Sequence, residues 1–386
     1  MSGKRQAVIV AARRTAVAPR GGALSPLQAD ELAAPVLAQL VGDAGISPDR
    51  VDHVILGNAL YGGGNPARLA ALRAGLPESV PALTVDTQCC SGLDAILLGT
   101  RMIEAGAADC VLAGGTESFS RSPIRMHRPS APGEQPVAYD RPAFAPPAFE
   151  DPDLAEAAAR LAAERGISRE SQAGFAVTSH AKALAAVDAL RERLVRIDAA
   201  DLARDAFSRG LTARTALRAP VLAGSPETGL NAAAIACEAD GAAAVLLMAE
   251  ERLSGKGHPV LRIAGGLSSG GDPANPALAP VGLAEALLES CGLKVEDLAA
   301  VELMEAYAVQ AMATAELLGL EAAALNPLGG ALARGHPIGA SGAVLAVQLF
   351  ERLARKVGGA TPAQSRGMAL IAAAGGLAAG IVAEAC

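Results

Sequence analysis

The sequence is poor in aromatic residues and in positive charge, and each shortage narrows what the protein can be. Tryptophan is absent and aromatic residues make up 2% of the 386 positions, whereas hydrophobic residues make up 51%. The core must therefore be built from small aliphatic side chains, which suit closely packed helices and strands. Acidic residues outnumber basic ones by 40 to 33, and the resulting net charge of −7 argues against nucleic acid as a partner.

Long apolar runs and a disulfide framework are also missing. No stretch reaches the roughly 20 uninterrupted apolar residues that a membrane-spanning helix needs, and the charged N-terminus is not followed by the apolar run of a secretion signal. Six cysteines, two of them adjacent, form no disulfide pattern for a chain of this size. We therefore expect a protein of the reducing cytoplasm that has no membrane partner and contains two or more domains.

The adjacent cysteines lie at a predicted strand–turn–helix junction. An apolar stretch at 80–85 leads into Gln88-Cys89-Cys90-Ser91-Gly92, and apolar residues at helical spacing follow. A thiol at a helix N-terminus lies at the positive end of the helix dipole, which favours the thiolate. These residues alone are equally consistent with a nucleophilic cysteine and with two small buried hydrophobic side chains.

A glycine-rich segment far downstream surrounds a single histidine. Residues 326–342 contain five glycines and two prolines around His336, and an apolar helical pattern follows. Such a loop can hold a base close to a ligand, and a cysteine nucleophile needs a base to take its proton. The other histidines lack metal-ligand spacing and are expected to be structural or surface residues, so we predict no metal site: His53, His127, His180 and His258.

Three motifs together resemble the thiolases, which are the acetyl-CoA acetyltransferases and 3-ketoacyl-CoA thiolases. They are Cys-Cys-Ser-Gly-Leu at 89–93, Ala-Gly-Gly-Thr-Glu-Ser at 113–118 and the histidine segment at 329–342. The resemblance covers nearly the whole chain and is weakest between about 120 and 235. It implies an α/β fold with five layers, α/β/α/β/α, made of two similar halves at 1–119 and 236–386 with a loop domain inserted at 120–235. A homodimer or homotetramer is the usual assembly of the family.

A faint internal repeat supports two similar halves. Ser91-Gly92 and Ser341-Gly342 each open a predicted helix, and each helix is followed by an apolar strand that ends in two glycines. Two such halves packed together would bring both turns into one cleft. The alternation of strands and helices predicts a mostly parallel sheet covered on both faces.

Apolar periodicity places the other elements. It predicts strands at 7–10, 51–57, 109–114, 240–248, 260–263, 299–304, 369–373 and 380–383, and helices at 30–41, 66–74, 154–165, 168–194, 280–292 and 308–318. The proline-rich segment from 120 to 147 is predicted to cross the surface. Its arginines would help to hold a phosphate, or the segment would be a solvated loop at a subunit contact.

The resemblance implies a role for each matching site residue. Cys89 would attack an acyl-CoA thioester and become acylated, while His336 would assist the thiolate and help to bind a thioester oxygen. The backbone N–H groups of Cys89 and Ala374 would form an oxyanion site. The acyl group would then pass to CoA, in thiolysis of a 3-ketoacyl-CoA, or to a second acyl-CoA, in Claisen condensation. CoA and acyl-CoA would be substrates, and no bound cofactor is implied.

The chain departs from the thiolase pattern where the second substrate is handled. Ala372 stands where thiolases carry a second, acid/base cysteine, and Met304 replaces the asparagine of the Asn-Glu-Ala-Phe motif, while Glu305 remains. The stretches at 150–151 and 229–234 differ as well. We therefore expect a weakened or specialised acyltransferase in which His336 or Glu305 serves as the substitute base. The alternative is a non-catalytic subunit that uses the thiolase fold to bind or scaffold a partner.

Overall fold

A computed structural model describes residues 5–200, 202–253, 259–354 and 365–386, so that His258 lies outside the described residues. The strands are β1 (Ala7–Thr15), β2 (Ala18–Pro19), β3 (His53–Gly57), β4 (Ala82–Val85), β5 (Cys110–Glu117), β6 (Met126–His127), β7 (Val137–Ala138), β8 (Leu194–Val195), β9 (Val221–Ala223), β10 (Leu230–Asn231), β11 (Ala239–Ala249), β12 (Leu261–Gly270), β13 (Ala300–Leu303), β14 (Arg366–Ala373) and β15 (Leu377–Ala385). The helices are α1 (Ala29–Ala44), α2 (Pro66–Arg73), α3 (Ser91–Glu104), α4 (Leu154–Glu164), α5 (Arg169–Ala185), α6 (Val187–Leu190), α7 (Ala213–Leu217), α8 (Ala279–Cys291), α9 (Ala308–Leu317), α10 (Ala331–Arg334) and α11 (Ile338–Ala354).

Eleven of the described strands form one mixed sheet. Its main path runs β13-β14-β15-β12-β1-β11-β5-β3-β4, with β2 and β8 attached to β11 and β1. The pairs β3/β4, β3/β5 and β13/β14 are parallel, whereas β1/β11, β5/β11, β14/β15 and β12/β15 are antiparallel. The prediction of a mostly parallel sheet is therefore wrong. Apolar runs show that a strand is buried on both faces, but they do not show its direction. In this fold, helices cover antiparallel strands as well as parallel ones.

The two halves of the sheet repeat one strand order. The order β3-β5-β11-β1 in the first half corresponds to β13-β14-β15-β12 in the second, with one parallel pair followed by two antiparallel pairs in each. Helix α3 precedes β5, and α11 precedes β14 in the same way. The halves meet where β1 pairs with β12 over two residues of each strand. The repeat predicted from the two Ser-Gly helix starts is thus present in the topology.

Helices α3 and α11 form the middle layer between the two half-sheets. They contact each other; α11 also contacts β5, β11 and β14, and α3 contacts β5, β11 and β15. Their small and aliphatic side chains, such as Ile96 and Val347, are completely buried in the central core. Helices α1 and α2 cover the outer face of the first half, and α8 covers that of the second. This is the expected five-layered α/β/α/β/α arrangement.

The segment between β5 and β11 packs against the C-terminal half through α4 and α5, which contact α9. The predicted helix at 168–194 begins as expected, with the Ser168 hydroxyl accepting a hydrogen bond from the Ser171 N–H at 3.2 Å. It ends at Ala185; short helical turns follow at Val187–Leu190 and Arg191–Arg193, and residues 194–195 pair with β1 in parallel as β8. The division of the chain after residues 119 and 235 stays a prediction.

Among the residues that the structure describes, every helix falls short of the length and apolar character that crossing a membrane would require.

Candidate active site

Cys89 lies in the tight turn between β4 and α3. Gln88 has the left-handed φ of 56°, and two hydrogen bonds close the turn: the Thr87 N–H donates to Ser91 Oγ at 2.9 Å, and the Ser91 hydroxyl donates to the Gln88 carbonyl at 2.5 Å. Cys90 is buried, and its Sγ is 3.7 Å from the carbonyl oxygen of Ile371. Each of the two interpretations of the cysteine pair therefore applies to one cysteine. Cys90 is a small buried side chain, whereas Cys89 faces a cavity and is the candidate nucleophile.

His336 lies directly beside the Cys89 thiol. Its Nε2 is 3.1 Å from Cys89 Sγ, and its Nδ1 is 2.7 Å from the hydroxyl of Ser341. The Ser341 hydroxyl donates its own hydrogen to the Pro337 carbonyl at 3.0 Å, so it must accept the hydrogen of Nδ1. Nε2 is then the unprotonated nitrogen and can accept the proton of the thiol. The backbone N–H of His336 donates to the Cys237 carbonyl at 2.8 Å, which fixes the loop.

Burial keeps both members of this pair neutral. It raises the pKa of the Cys89 thiol to about 12, even though the N–H groups of Cys89 and Ala374 act in the opposite direction. It lowers the pKa of His336 to about 4. The expectation that the helix dipole favours a thiolate is therefore wrong for the free site, because the desolvation of the sulfur outweighs it. At neutral pH the pair is a thiol beside a neutral imidazole, which can exchange a proton during attack.

Two backbone amides converge on the Cys89 sulfur. The N–H groups of Cys89 and Ala374 both act on it as hydrogen-bond donors. Ala374 opens the turn between β14 and β15, in which Gly375 and Gly376 have positive φ angles of 76° and 79°. Donors in this position can stabilise negative charge on an oxygen that develops next to the acylated sulfur. The arrangement corresponds to the predicted oxyanion pair, whose role remains a proposal.

Glu305 follows β13, but its carboxylate is occupied by other contacts. It accepts hydrogen bonds from the Ser179 hydroxyl at 2.7 Å, from the Asn326 side-chain amide at 2.7 Å and from the Leu332 N–H at 3.2 Å. In the described structure none of its hydrogen bonds involves Cys89 or His336, and it is not among the residues that line the cavity. This geometry holds the start of the histidine segment in place. It does not support Glu305 as the substitute base.

Glu117 is a residue of the site to which the sequence reasoning assigned no role. Its carboxylate accepts hydrogen bonds from the Asn58 side chain at 2.9 Å, from the Ala59 N–H at 3.0 Å and from the Gly339 N–H at 2.9 Å. Burial raises its pKa to about 7, although the backbone donors lower it. Glu117 thus connects the end of β5 to the loop of His336. In the sequence, the position of this acidic residue at the end of an apolar strand could have identified it as a candidate site residue.

A mostly apolar cavity opens beside Cys89. The residues that line it come from the Cys89 turn, α4, the segment before α8, the β13–α9 connection and the β14–β15 turn: Cys89, Leu154, Ala157, Ala158, Pro276, Ala277, Met304, Ala306, Tyr307, Gln310, Ala372, Ala373 and Ala374. Ala372 and Met304, the two departures from the thiolase pattern, are both in this wall. Tyr307, Gln310 and the thiol of Cys89 are its polar side chains.

The arginine-rich segment and the remaining described histidines lie outside this cavity wall. Arg141 forms an ion pair with Asp151, and Arg125 donates to the Ala59 carbonyl at 2.9 Å. A role of this segment in holding a phosphate stays a prediction. Three histidines make local contacts, with the Val54 carbonyl, the Tyr139 ring and the Arg209 N–H respectively: His53, His127 and His180.

Both the sequence and the fold are similar to those of known proteins. Residues 7–251 match the family model described as "Thiolase, N-terminal domain", and residues 258–385 match "Thiolase, C-terminal domain". The Bacillus subtilis protein YhfS is 40% identical over 355 residues, which are 91% of this chain and 92% of that protein. The Bacillus anthracis acetyl-CoA acetyltransferase superposes with a TM-score of 0.88 at 30% identity over all of both chains. Human mitochondrial 3-ketoacyl-CoA thiolase in complex with CoA gives 0.89 at 29% identity over 99% of this chain and 98% of that one.

Proposed function

This chain belongs to the thiolase family, and from that premise we propose that it is an acyltransferase that forms an acyl-enzyme intermediate on Cys89 from a CoA thioester. The contact of 3.1 Å between Cys89 Sγ and His336 Nε2 carries the proposal, because it joins a nucleophile to a base in the required tautomer. The similarity to an acetyl-CoA acetyltransferase and to a 3-ketoacyl-CoA thiolase crystallised with CoA supports the substrate class. Assembly as a homodimer or homotetramer and a cytoplasmic location stay predictions.

The first half-reaction cleaves a 3-ketoacyl-CoA. Cys89 Sγ attacks the 3-keto carbon and its proton passes to His336 Nε2. The carbonyl oxygen becomes an oxyanion that accepts hydrogen bonds from the N–H groups of Cys89 and Ala374. When the oxyanion collapses, the bond between C2 and C3 breaks. C2 takes the proton from His336, acetyl-CoA leaves, and the acyl group remains on the sulfur.

The second half-reaction returns the enzyme to its starting state. Neutral His336 accepts the proton of the incoming CoA thiol, whose sulfur attacks the acyl carbon. The bond to Cys89 breaks, and the Cys89 sulfur recovers the proton from His336. In Claisen condensation the acceptor is instead the C2 carbon of a second acyl-CoA. Ala372 has no proton to exchange, so that His336 serves both half-reactions. Acid/base groups contribute about 100- to 10,000-fold in rate, and we expect slow turnover.

A non-catalytic binding subunit is the second candidate. The observation in its favour is the cavity wall, where Ala372 and Met304 replace groups that thiolases use for the second substrate. The geometry of Cys89 and His336 favours the enzyme, since a site without catalytic function has no need to keep a thiol within 3.1 Å of an imidazole.

Intact-mass analysis after incubation with acetyl-CoA and acetoacetyl-CoA tests the proposal. We expect an acyl adduct on the native protein and on Cys90→Ala, which removes the neighbouring buried thiol, and no adduct on Cys89→Ala. Slow acylation of His336→Asn would support the assigned base. The absence of an adduct with every short and medium acyl-CoA would overturn the acyltransferase and leave the binding subunit.

A further inference from the structure

Two hydrogen-bond donors line the apolar cavity without a partner in the described structure. Gln310 is only 2% exposed, and its Oε1 accepts the Ala306 N–H at 3.3 Å. That bond identifies the oxygen, so that the other terminal atom is the Nε2 amide, which has no hydrogen-bond partner. Tyr307 lines the same cavity, and no hydrogen bond of its hydroxyl is found among the described residues.

The Tyr307 hydroxyl stays protonated, and Tyr307 lines the same cavity as Cys89. Burial raises the pKa of Tyr307, and the charge of Asp153 acts in the same direction. Tyr307 immediately precedes α9 in an extended conformation, Gln310 lies in the first turn of that helix, and both side chains line this cavity. The two donors therefore address one region of the cavity. The buried Gln310 amide without a partner is unfavourable, and a bound acceptor would remove that penalty.

The proposed reaction already provides partners for both oxygens of a 3-ketoacyl thioester. In that reaction the oxygen at the attacked carbon accepts hydrogen bonds from the amides of Cys89 and Ala374, and the thioester oxygen would accept one from His336 after its Nε2 has taken the thiol proton. The donors of Tyr307 and Gln310 are left for the acyl chain itself. No charged side chain lines the cavity, so that a carboxylate or phosphate on the chain would have no counter-ion there.

We propose that this cavity selects acyl chains that carry a neutral oxygen acceptor, such as a keto, ether or hydroxyl oxygen, beyond the thioester. Tyr307 and Gln310 donate hydrogen bonds to that oxygen, while the alanine, leucine and proline side chains contact the carbon skeleton. The inference rests on the proposed acyl-enzyme chemistry and specifies its substrate class. It accounts for the buried, unpaired amide of Gln310 and the half-buried hydroxyl of Tyr307 in a wall that is otherwise apolar.

Acylation of Cys89 by chains of equal length tests the inference. Second-order rates are measured by intact mass with hexanoyl-CoA, 4-oxohexanoyl-CoA and 5-oxohexanoyl-CoA. On the native protein at least one oxo chain should react about tenfold faster than hexanoyl-CoA, as expected for one satisfied buried donor. In Tyr307→Phe, which removes only the hydroxyl, the ratio of oxo to plain rates should fall towards one. Tyr61→Phe makes the same change at an exposed position and should preserve the native ratio.

Three results would overturn the inference, and they differ in what they leave standing. Equal rates for all three thioesters on the native protein would remove the oxygen preference and leave the acyltransferase intact. A fall by the same factor for plain and oxo chains in Tyr307→Phe would mean that the hydroxyl acts on the thioester carbonyl. Absence of acylation by every thioester would reject the proposed function, and the inference with it.

Discussion

Cys89 illustrates how burial decides the protonation state of a nucleophile. Its position at the start of α3 favours a thiolate, yet burial raises the pKa of the thiol to about 12, and the adjacent His336 is uncharged because burial lowers its pKa to about 4. The sequence motifs were sufficient to identify both residues as candidates. They could not predict protonation, because the protein atoms that cover the sulfur come from distant parts of the chain.

Alkylation of Cys89 should therefore depend steeply on pH. We expect iodoacetamide to modify it slowly at pH 7 and about tenfold faster for each pH unit up to about pH 9.5, since this range lies below the pKa and the thiolate fraction rises in proportion. Peptide mass spectrometry measures modification at each cysteine separately, and exposed Cys386 reports the activity of the reagent in the same sample. A plateau in the Cys89 rate near neutral pH would contradict the raised pKa.

Replacing Ala372 with cysteine should increase the activity of the enzyme. A thiol at this position would lie in the cavity wall beside Cys89 and supply the acid/base group that the chain lacks. Ala372→Cys should raise the rate of acetoacetyl-CoA thiolysis by about 100-fold or more, within the range of general acid/base catalysis. The control is Ala369→Cys, which adds the same thiol to β14 at a buried position that does not line the cavity. Equal rates in the two variants would contradict the role assigned to this position.

At the scale of elements, the site exists because α3 and α11 start in direct contact. A Cβ on Gly92 would lie 2.8 Å from the Gly339 carbonyl oxygen, and a Cβ on Gly342 would lie 2.6 Å from the Leu93 nitrogen. Both contacts are with backbone, which cannot move aside as a side chain can. The two glycines therefore permit the approach that brings Cys89 and His336 together.

Gly342→Ala should separate the two helix starts and impair acylation. A displacement of about 1 Å at reacting groups can cost about 100-fold in rate, and we expect at least that loss in the rate of acyl-enzyme formation. Gly174→Ala is the matched control, because Gly174 lies inside α5 and a Cβ there meets open space. It should keep the native rate and raise the free energy of unfolding by about 0.4–1 kcal/mol. Native acylation by Gly342→Ala would show that the close contact is dispensable.

The sequence predicted the elements better than their directions. Apolar runs located β5, β11, β14 and β15 correctly, because burial on both faces leaves a clear pattern. The same pattern carries no information on whether neighbouring strands are parallel, and the antiparallel pairs of each half were missed for that reason. The prediction that a helix extends to Leu194 was also wrong. The pairing of β8 with β1 is a long-range contact, which the local sequence pattern does not show.

At the scale of the whole molecule, a buried ion pair attaches the segment between β5 and β11 to the core. Arg14 of β1 donates to both carboxylate oxygens of Asp205, at 2.6 and 2.9 Å, and the Val17 N–H donates to the same carboxylate at 2.9 Å. The side chains of Arg14 and Asp205 are 1% and 8% exposed, so that water replaces neither partner. The two residues are 191 positions apart, and no local pattern in the sequence predicts their contact.

Asp205→Asn should lower the free energy of unfolding by about 3 kcal/mol at pH 7, because it leaves the Arg14 charge buried without a counter-charge. Burial alone would raise the pKa of Asp205, but Arg14 and its hydrogen bonds hold it below the ordinary value of 3.8. The contribution of the ion pair to stability is therefore complete above about pH 4 and is lost as the pH falls through the lowered pKa, where the free energies of unfolding of the native protein and the variant should converge.

The control is Asp43→Asn, which breaks the half-exposed pair with Arg13 and should lower the free energy of unfolding by less than about 1 kcal/mol. Urea unfolding at pH 7 and at a series of lower pH values measures both; equal losses for the two variants at pH 7 would mean that the buried pair does not anchor the segment.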